Sequence, residues 1–231
     1  MRNVLELCST PSYVNILLLK QLVSEYMAHR IGFYNVTNKN LYVEDEFSEY
    51  FLARVTNGTQ IGSGHCPMDV KVANGDGIDA MCVCLNGSQT NEKSIIQNFS
   101  ESGRQLDGLF ADKKHIEAVE LYMKDLTKKW SDVKSSKGLN DLYYMCFTST
   151  KNNVYLSTFK INTDLVSSVT SGGFRSGEKN IILNNFIDPM VGIVTLYKSK
   201  KRVELRLKAE IINDANTIEL FNQATVPSDL Q

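Results

Sequence analysis

The sequence predicts an α+β fold, an α/β sandwich with a central mixed β-sheet flanked by helices. Three observations predict it. Apolar residues recur at helical spacing in the first part of the chain; a Gly-rich turn then joins two strand-like runs; and, after a second helical stretch, apolar alternation of the β type dominates the remainder. Helices, hairpin, helices and strands, in that order, are the parts of one sheet covered by helices.

Each element has its own signal. A first helix is expected from Val14 to Met27, and a second from Glu44 to Val55, where Phe47, Phe51, Leu52 and Val55 repeat at helical spacing. The turn-forming cluster Thr56-Asn57-Gly58-Thr59 ends it. Strands are expected from His65 to Ala73 and from Ile78 to Leu85, joined by Asn74-Gly75-Asp76-Gly77, strong hairpin punctuation. The helical period returns from Glu92 to Phe110 and from Lys113 to Trp130. Leu142 to Phe147, Val154 to Ile161, Ile181 to Leu183, Val191 to Tyr197 and Arg202 to Ile212 read as strands. Ser167 to Gly177 holds three Gly and four Ser without periodicity, a loop expected to be able to close over a ligand.

Bulk composition bounds the rest. A chain of 231 residues with 42% hydrophobic and 22% charged residues can bury one substantial core, and no repeat or linker divides it. One domain over 1–231 is expected: 1–60 as N-terminal helices, 61–111 as the hairpin and helix carrying the candidate site, 112–231 as a helix and C-terminal strands. The longest apolar stretch, near Val14 to Val23, is interrupted by Lys20 and Gln21 and is too short to span a bilayer. Glu6 stands where a signal peptide requires an apolar run, so a cytoplasmic protein is expected. Five cysteines, an odd number in a chain that needs no staples, are expected to be reduced thiols.

The chemistry-bearing residues cluster around the predicted hairpin. Asp69 lies in its first strand and Asp79 in its second, so both carboxyl groups are able to face each other from neighbouring strands. Their neighbours Met68, Val70, Ile78 and Ala80 are apolar, and an acid in such a run is costly to bury unless a positive partner, such as a metal ion, meets it. Lys71 shares the strand face of Asp69 by the two-residue repeat, while Lys93 and Glu92 stand at the expected start of the following helix. Each piece also has a structural reading: turn acids that bond backbone amides, solvated helix acids, surface lysines.

A helix carrying Glu49, then a strand with Asp69, a Gly turn and a second acidic strand with Asp79 together resemble the PD-(D/E)xK nucleases, whose typical members of this size are restriction endonucleases. The resemblance covers roughly 44–110. It implies a restriction-endonuclease-like fold and a type II, sequence-specific endonuclease hydrolysing double-stranded DNA with Mg2+ as cofactor. Asp69 and Asp79 would bind one or two magnesium ions, with Glu49 as accessory acid and Glu92 as a further metal ligand. The sequence departs from the family pattern at Met81, where Asp79-Ala80-Met81 places Met instead of Lys. The missing cation would come from Lys71 or Lys93. Palindromic duplex sites are read by two-fold dimers, so the resemblance also implies a homodimer.

Charge neither demands nor forbids this. Net charge is −1 and pI about 6.3, so the whole-protein field does not announce a polyanion partner, but acids gathered at a metal site cancel basic residues elsewhere. Lys198, Lys200, Lys201, Arg202, Arg206 and Lys208 form a basic C-terminal stretch that would contact phosphates with Lys179, and Arg175 in the Gly-Ser loop would reach a base edge. A solvated strand face accounts for the same lysines.

Two alternatives remain: a non-catalytic nucleic-acid or protein-binding protein of the same architecture, which Met81 favours, and a zinc-stabilised interaction module on His65, Cys66, Cys82 and Cys84. There is no phosphate-binding Gly-Lys-Ser/Thr loop, no Gly-x-Gly-x-x-Gly, and only three histidines, none suitably beside a nucleophile, which disfavours nucleotide-driven and Ser/His or Cys/His chemistry.

Overall fold

The computed structural model describes residues 3–34, 42–62, 66–95, 102–171 and 179–225. In chain order its elements are β1 (Leu5–Cys8), α1 (Ile16–Tyr34), α2 (Asp45–Val55), β2 (Thr59–Gln60), β3 (Val70–Lys71), β4 (Gly77–Asn86), β5 (Gln89–Thr90), β6 (Lys93–Ser94), α3 (Gly103–Ala111), α4 (His115–Lys137), β7 (Leu142–Ser149), β8 (Asn153–Ile161), β9 (Thr170–Ser171), β10 (Asn180–Asn184), β11 (Gly192–Tyr197), β12 (Arg202–Leu207) and β13 (Ile218–Asn222). The α+β sandwich expected from the sequence is the one found.

The central sheet runs β1-β8-β7-β4-β3-β2, with β13 also on β8 and β5 on β4. Among the described strands of this sheet, β4 and β7 run parallel, from Gly77 opposite Leu142 to Cys84 opposite Ser149, and the other pairs are antiparallel. β1 pairs with Thr158 to Ile161 of β8, and β13 with its Asn153 to Leu156, so the two lie end to end along one edge. A second, antiparallel sheet runs β6-β12-β11-β10-β9.

Alternation along the central strands divides the interior in two. Ile78, Ala80, Cys82, Met145, Phe147, Val154 and Leu156 pack under α1 and α2. Met81, Val83, Tyr144, Cys146 and Phe159 face the other way, into a core shared with α4 and the inner side of the second sheet. Trp130 of α4 is 0% exposed at the centre of this second core, its ring edge-on to Tyr144 at 6.4 Å. α4 ends at Gly138, whose φ of 60° puts it in the left-handed region that glycine tolerates without Cβ strain.

Three elements differ from the sequence expectation. The strand drawn from His65 to Ala73 is reduced to Val70–Lys71, because Pro67 has no N–H to donate and the Asp69 side chain takes over a backbone bonding role; His65 lies outside the described residues. The helix drawn from Glu92 to Phe110 is two elements. Lys93 and Ser94 pair with β12, a long-range partner that local periodicity does not register, and the helix begins at Gly103. The last strand stops at Leu207, and a 3-10 turn spans Ala209–Asn213. β1 and β13 escaped the sequence reading. No helix of the described residues is long and apolar enough to cross a membrane.

Truncating the centre of the larger core has a predictable cost. Trp130→Ala is expected to destabilise by about 3–5 kcal/mol, lowering the melting temperature by roughly ten degrees. Calorimetry checks this, and a shift under two degrees would contradict the placement of Trp130.

Candidate active site

Asp79 occupies β4 on the same face as Met81 and Val83, looking toward α4. Asp69 approaches it from the neighbouring segment. Val70 pairs with Ile78; one residue earlier, the Asp69 N–H donates to the Ile78 carbonyl at 2.8 Å, and Asp69 Oδ2 accepts the Ala80 N–H at 2.8 Å. These two bonds clamp the Asp69 carboxylate beside Asp79.

The electrostatics record the closeness. Asp79 has its pKa raised well above 3.8, first by burial, then by the charge of Asp69 and by a hydrogen bond shared with it, with Lys93 opposing. A like charge that close disfavours ionisation of Asp79, and a cation between the two would relieve it. Glu49, on the pocket side of α2, also has its pKa raised, by burial first and then by Asp69 and Asp45.

Asp45, Glu49, Asp69, Asp79, Cys66, Lys93 and Lys129 line one pocket of about 260 Å³. α2 contributes Asp45 and Glu49, β6 contributes Lys93, and α4 brings Lys129. Lys93 donates to both oxygens of Asp45, at 3.0 and 2.9 Å. Burial works against the Lys93 charge, but the bonds to Asp45 outweigh it and raise its pKa. Lys129 is the opposite case: burial lowers its pKa, against the fields of Asp79 and Cys66.

Asp69, Asp79, Glu49 and Lys93 are therefore brought together as the sequence suggested, and Lys71 and Glu92 are not. Lys71 extends to the far end of α4 and donates to the Lys137 carbonyl. Glu92 faces the second sheet, where Tyr197 donates to it at 2.6 Å and Arg206 binds it. A hydrogen bond from Glu204, first among several causes, holds Glu92 down to about 2, while burial raises Glu204. Asp45 and Lys129 were missed. The signal for Lys129 was negative: Met81, where the motif places Lys, is core at 1% exposure, so the cations near Asp79 come from elsewhere, Lys93 from β6 and Lys129 from the helix covering that face.

The other expected groups fare unevenly. Arg175 lies outside the described residues. In the basic stretch, Lys200 and Arg202 are tied to Glu204, Lys201 to Asp107 at 2.6 Å, and Lys198 lies 6.0 Å from the Phe110 ring centre. The thiols do not assemble: Cys66 lines the acidic pocket, whereas Cys82 packs into the core under α1 and α2. Among the described residues, no three His, Cys, Asp or Glu side chains are placed to hold a metal ion.

A divalent ion is thus tested against two carboxylates with Glu49 nearby. Magnesium is bound through one or two carboxylates, with waters and substrate phosphates completing its octahedron, and the unresolved repulsion within the Asp69/Asp79 pair fits such an ion.

The raised Asp79 pKa carries a stability signature. Its folded value lies above the unfolded 3.8, so ionising it costs folding free energy; its favourable contribution is complete below the unfolded value and lost as pH rises through the folded one. In metal-free buffer, the melting temperature of Asp79→Asn minus that of the parent is expected to increase from pH 4 to pH 8 by a few degrees. A flat difference would dispose of the carboxylate pair. Compared with protein-family models, with curated proteins and with solved structures, the chain matches none.

Proposed function

We propose that the protein is a magnesium-dependent endonuclease that hydrolyses duplex DNA, of the PD-(D/E)xK type and working as a homodimer on two-fold sites. The observation that carries the reading is the pair Asp69 and Asp79 sharing a pocket with two lysines. In support, Glu49 of α2 and Asp79 of β4 line one pocket with Asp69, which lies just before β3 rather than in a strand. Lys129 supplies the cation that Met81 does not.

Asp69 and Asp79 would hold the ion, which supplies Lewis-acid polarisation of a phosphoryl oxygen and a more acidic bound water. Asp69 is kept in place by the Ala80 N–H, so its oxygen needs no reorganisation on binding. Asp79 would be ionised to take part in holding the ion. Glu49, whose pKa is raised by burial and by the charge of Asp69, accepts the proton of the attacking water as it adds to phosphorus. Lys129, held half-buried, meets the negative charge that develops as the bond to the leaving oxygen breaks. Lys93, fixed by Asp45, contributes field without moving.

A binding protein of the same architecture without catalysis is the second reading, favoured by the absence of a third metal ligand among the described residues.

The test is cleavage of plasmid DNA of varied sequence with magnesium. Discrete cutting is expected from the parent and none from Asp79→Ala or Asp69→Ala; Lys129→Ala should lose about 10²-fold or more, and Lys71→Ala should cut normally. Equal cutting by Asp79→Ala, or no cutting by the parent with any divalent ion, overturns the reading. Magnesium is also expected to raise the melting temperature of the parent and not of Asp79→Asn. An equal rise in both would place the ion elsewhere.

A further inference from the structure

We propose that Tyr144 is a positioning residue for the divalent ion: its buried hydroxyl stands behind Asp79 and donates a hydrogen bond to that carboxylate when the pocket takes up magnesium. The inference rests on the reading that Asp69 and Asp79 hold the ion.

Strand pairing puts the two side chains together. Asp79 and Tyr144 are direct partners in the parallel pair of β4 and β7, and partners in register project from the same face of a sheet. That face is the one covered by α4, where Tyr144 belongs to the larger core and is 0% exposed. Asp79 lines the pocket, so the buried phenol backs it from the protein side.

The hydroxyl has no structural use of its own. Tyr144 Oη is buried with no hydrogen-bond partner among the described residues, which is costly, and a Phe would hold the same ring against Trp130 without that cost. Around the ring stand Phe159, its partner on β8, Trp130 of α4, Cys146 of the same strand, and Asp79. Phe159 has no polar atom, the Trp130 N–H can only donate, and a thiol is a weak acceptor. Of these four side chains, Asp79 carries the oxygens. Burial first and the charge of Asp79 next push the Tyr144 hydroxyl up, so it keeps its proton to donate.

In the metal-free protein the Asp79 carboxyl is engaged by a hydrogen bond with Asp69. Once ionised to hold a cation, Asp79 has lone pairs to spare on the side away from the ion. Tyr144 offers a donor there, and a hydrogen bond to a carboxylate is stronger than one between neutral groups. Asp69 has its counterpart already in the Ala80 N–H at 2.8 Å. Each carboxylate is then steadied from behind, one by backbone and the other by a phenol, and such outer partners fix the direction of metal ligands.

Magnesium binding is read from the melting temperature of the full chain, without DNA, as the magnesium concentration is raised. Tyr144→Phe is expected to melt at or above the parent in metal-free buffer, and to need about ten-fold more magnesium for the same rise. Plasmid cleavage by this variant should fall at low magnesium and return toward the parent rate at saturating magnesium, a split that a packing role does not produce. Phe159→Leu loosens the packing beside the same ring but keeps the hydroxyl, and should leave the magnesium dependence unaltered. Parent-like magnesium dependence in Tyr144→Phe overturns the proposal, as does an equal weakening in Phe159→Leu; in either case loss of the rise in Asp79→Asn leaves the ion site standing. No magnesium-dependent rise in the parent removes the ion site and the role of Tyr144 together. Magnesium binding without cleavage by the parent ends the nuclease reading, while the two magnesium curves still decide the role of Tyr144.

Discussion

The parallel pairing of β4 with β7 is the constraint on which the rest of the structure depends. Antiparallel neighbours are joined by a tight turn, but parallel ones need a crossover that returns the chain to the same end of the sheet. Here the crossover consists of residues 87–141, including β5, β6, α3 and α4. It lays α4 across the face on which Asp79 projects and carries β6 to the partner it finds in β12. Lys129 and Lys93 reach the pocket by this route, from opposite ends of one excursion. Trp130, next to Lys129, is the anchor: an indole at the centre of the core fixes the rotation of the helix and therefore the direction of its neighbour.

Two carboxylate pairs are resolved in different ways, and the contrast separates architecture from chemistry. Glu92 and Glu204 face a crowd of donors, Tyr197, Lys200, Arg202 and Arg206, which lets one acid ionise fully while the other is buried against it. That pair is a girder of the second sheet. Beside Asp79, Asp69 accepts the Ala80 N–H, with Lys93 engaged by Asp45 and Lys129 held under a desolvation penalty. Perturbed carboxyl groups gathered in a pocket are the kind of feature on which a proposal of function can rest.

Much of the candidate site was legible because strand alternation and helix spacing are local. Asp69 and Asp79 beside a Gly turn, and Glu49 on the preceding helix, needed no knowledge of the remainder. Lys71 misled for the same reason: alternation names the face of a residue, not how far its long side chain travels, and this one reaches the end of α4. Glu92 and Lys93 are neighbours in sequence, yet strand geometry sends them to opposite sides, one to Arg206 and the other to Asp45.

The sequence by itself determined the class of fold and the acids at the hairpin, since each follows from periods of two or of 3.6 residues within a short window, whereas the single core it suggested is two, one on each side of the central sheet. Only the tertiary structure decided which cations meet those acids, that Lys93 belongs to a strand, and that β1 and β13 close the edge of β8. Each of these depends on residues far apart in the chain, and a pairing over such a distance is settled by the burial and hydrogen bonds gained when it forms, not by any local preference.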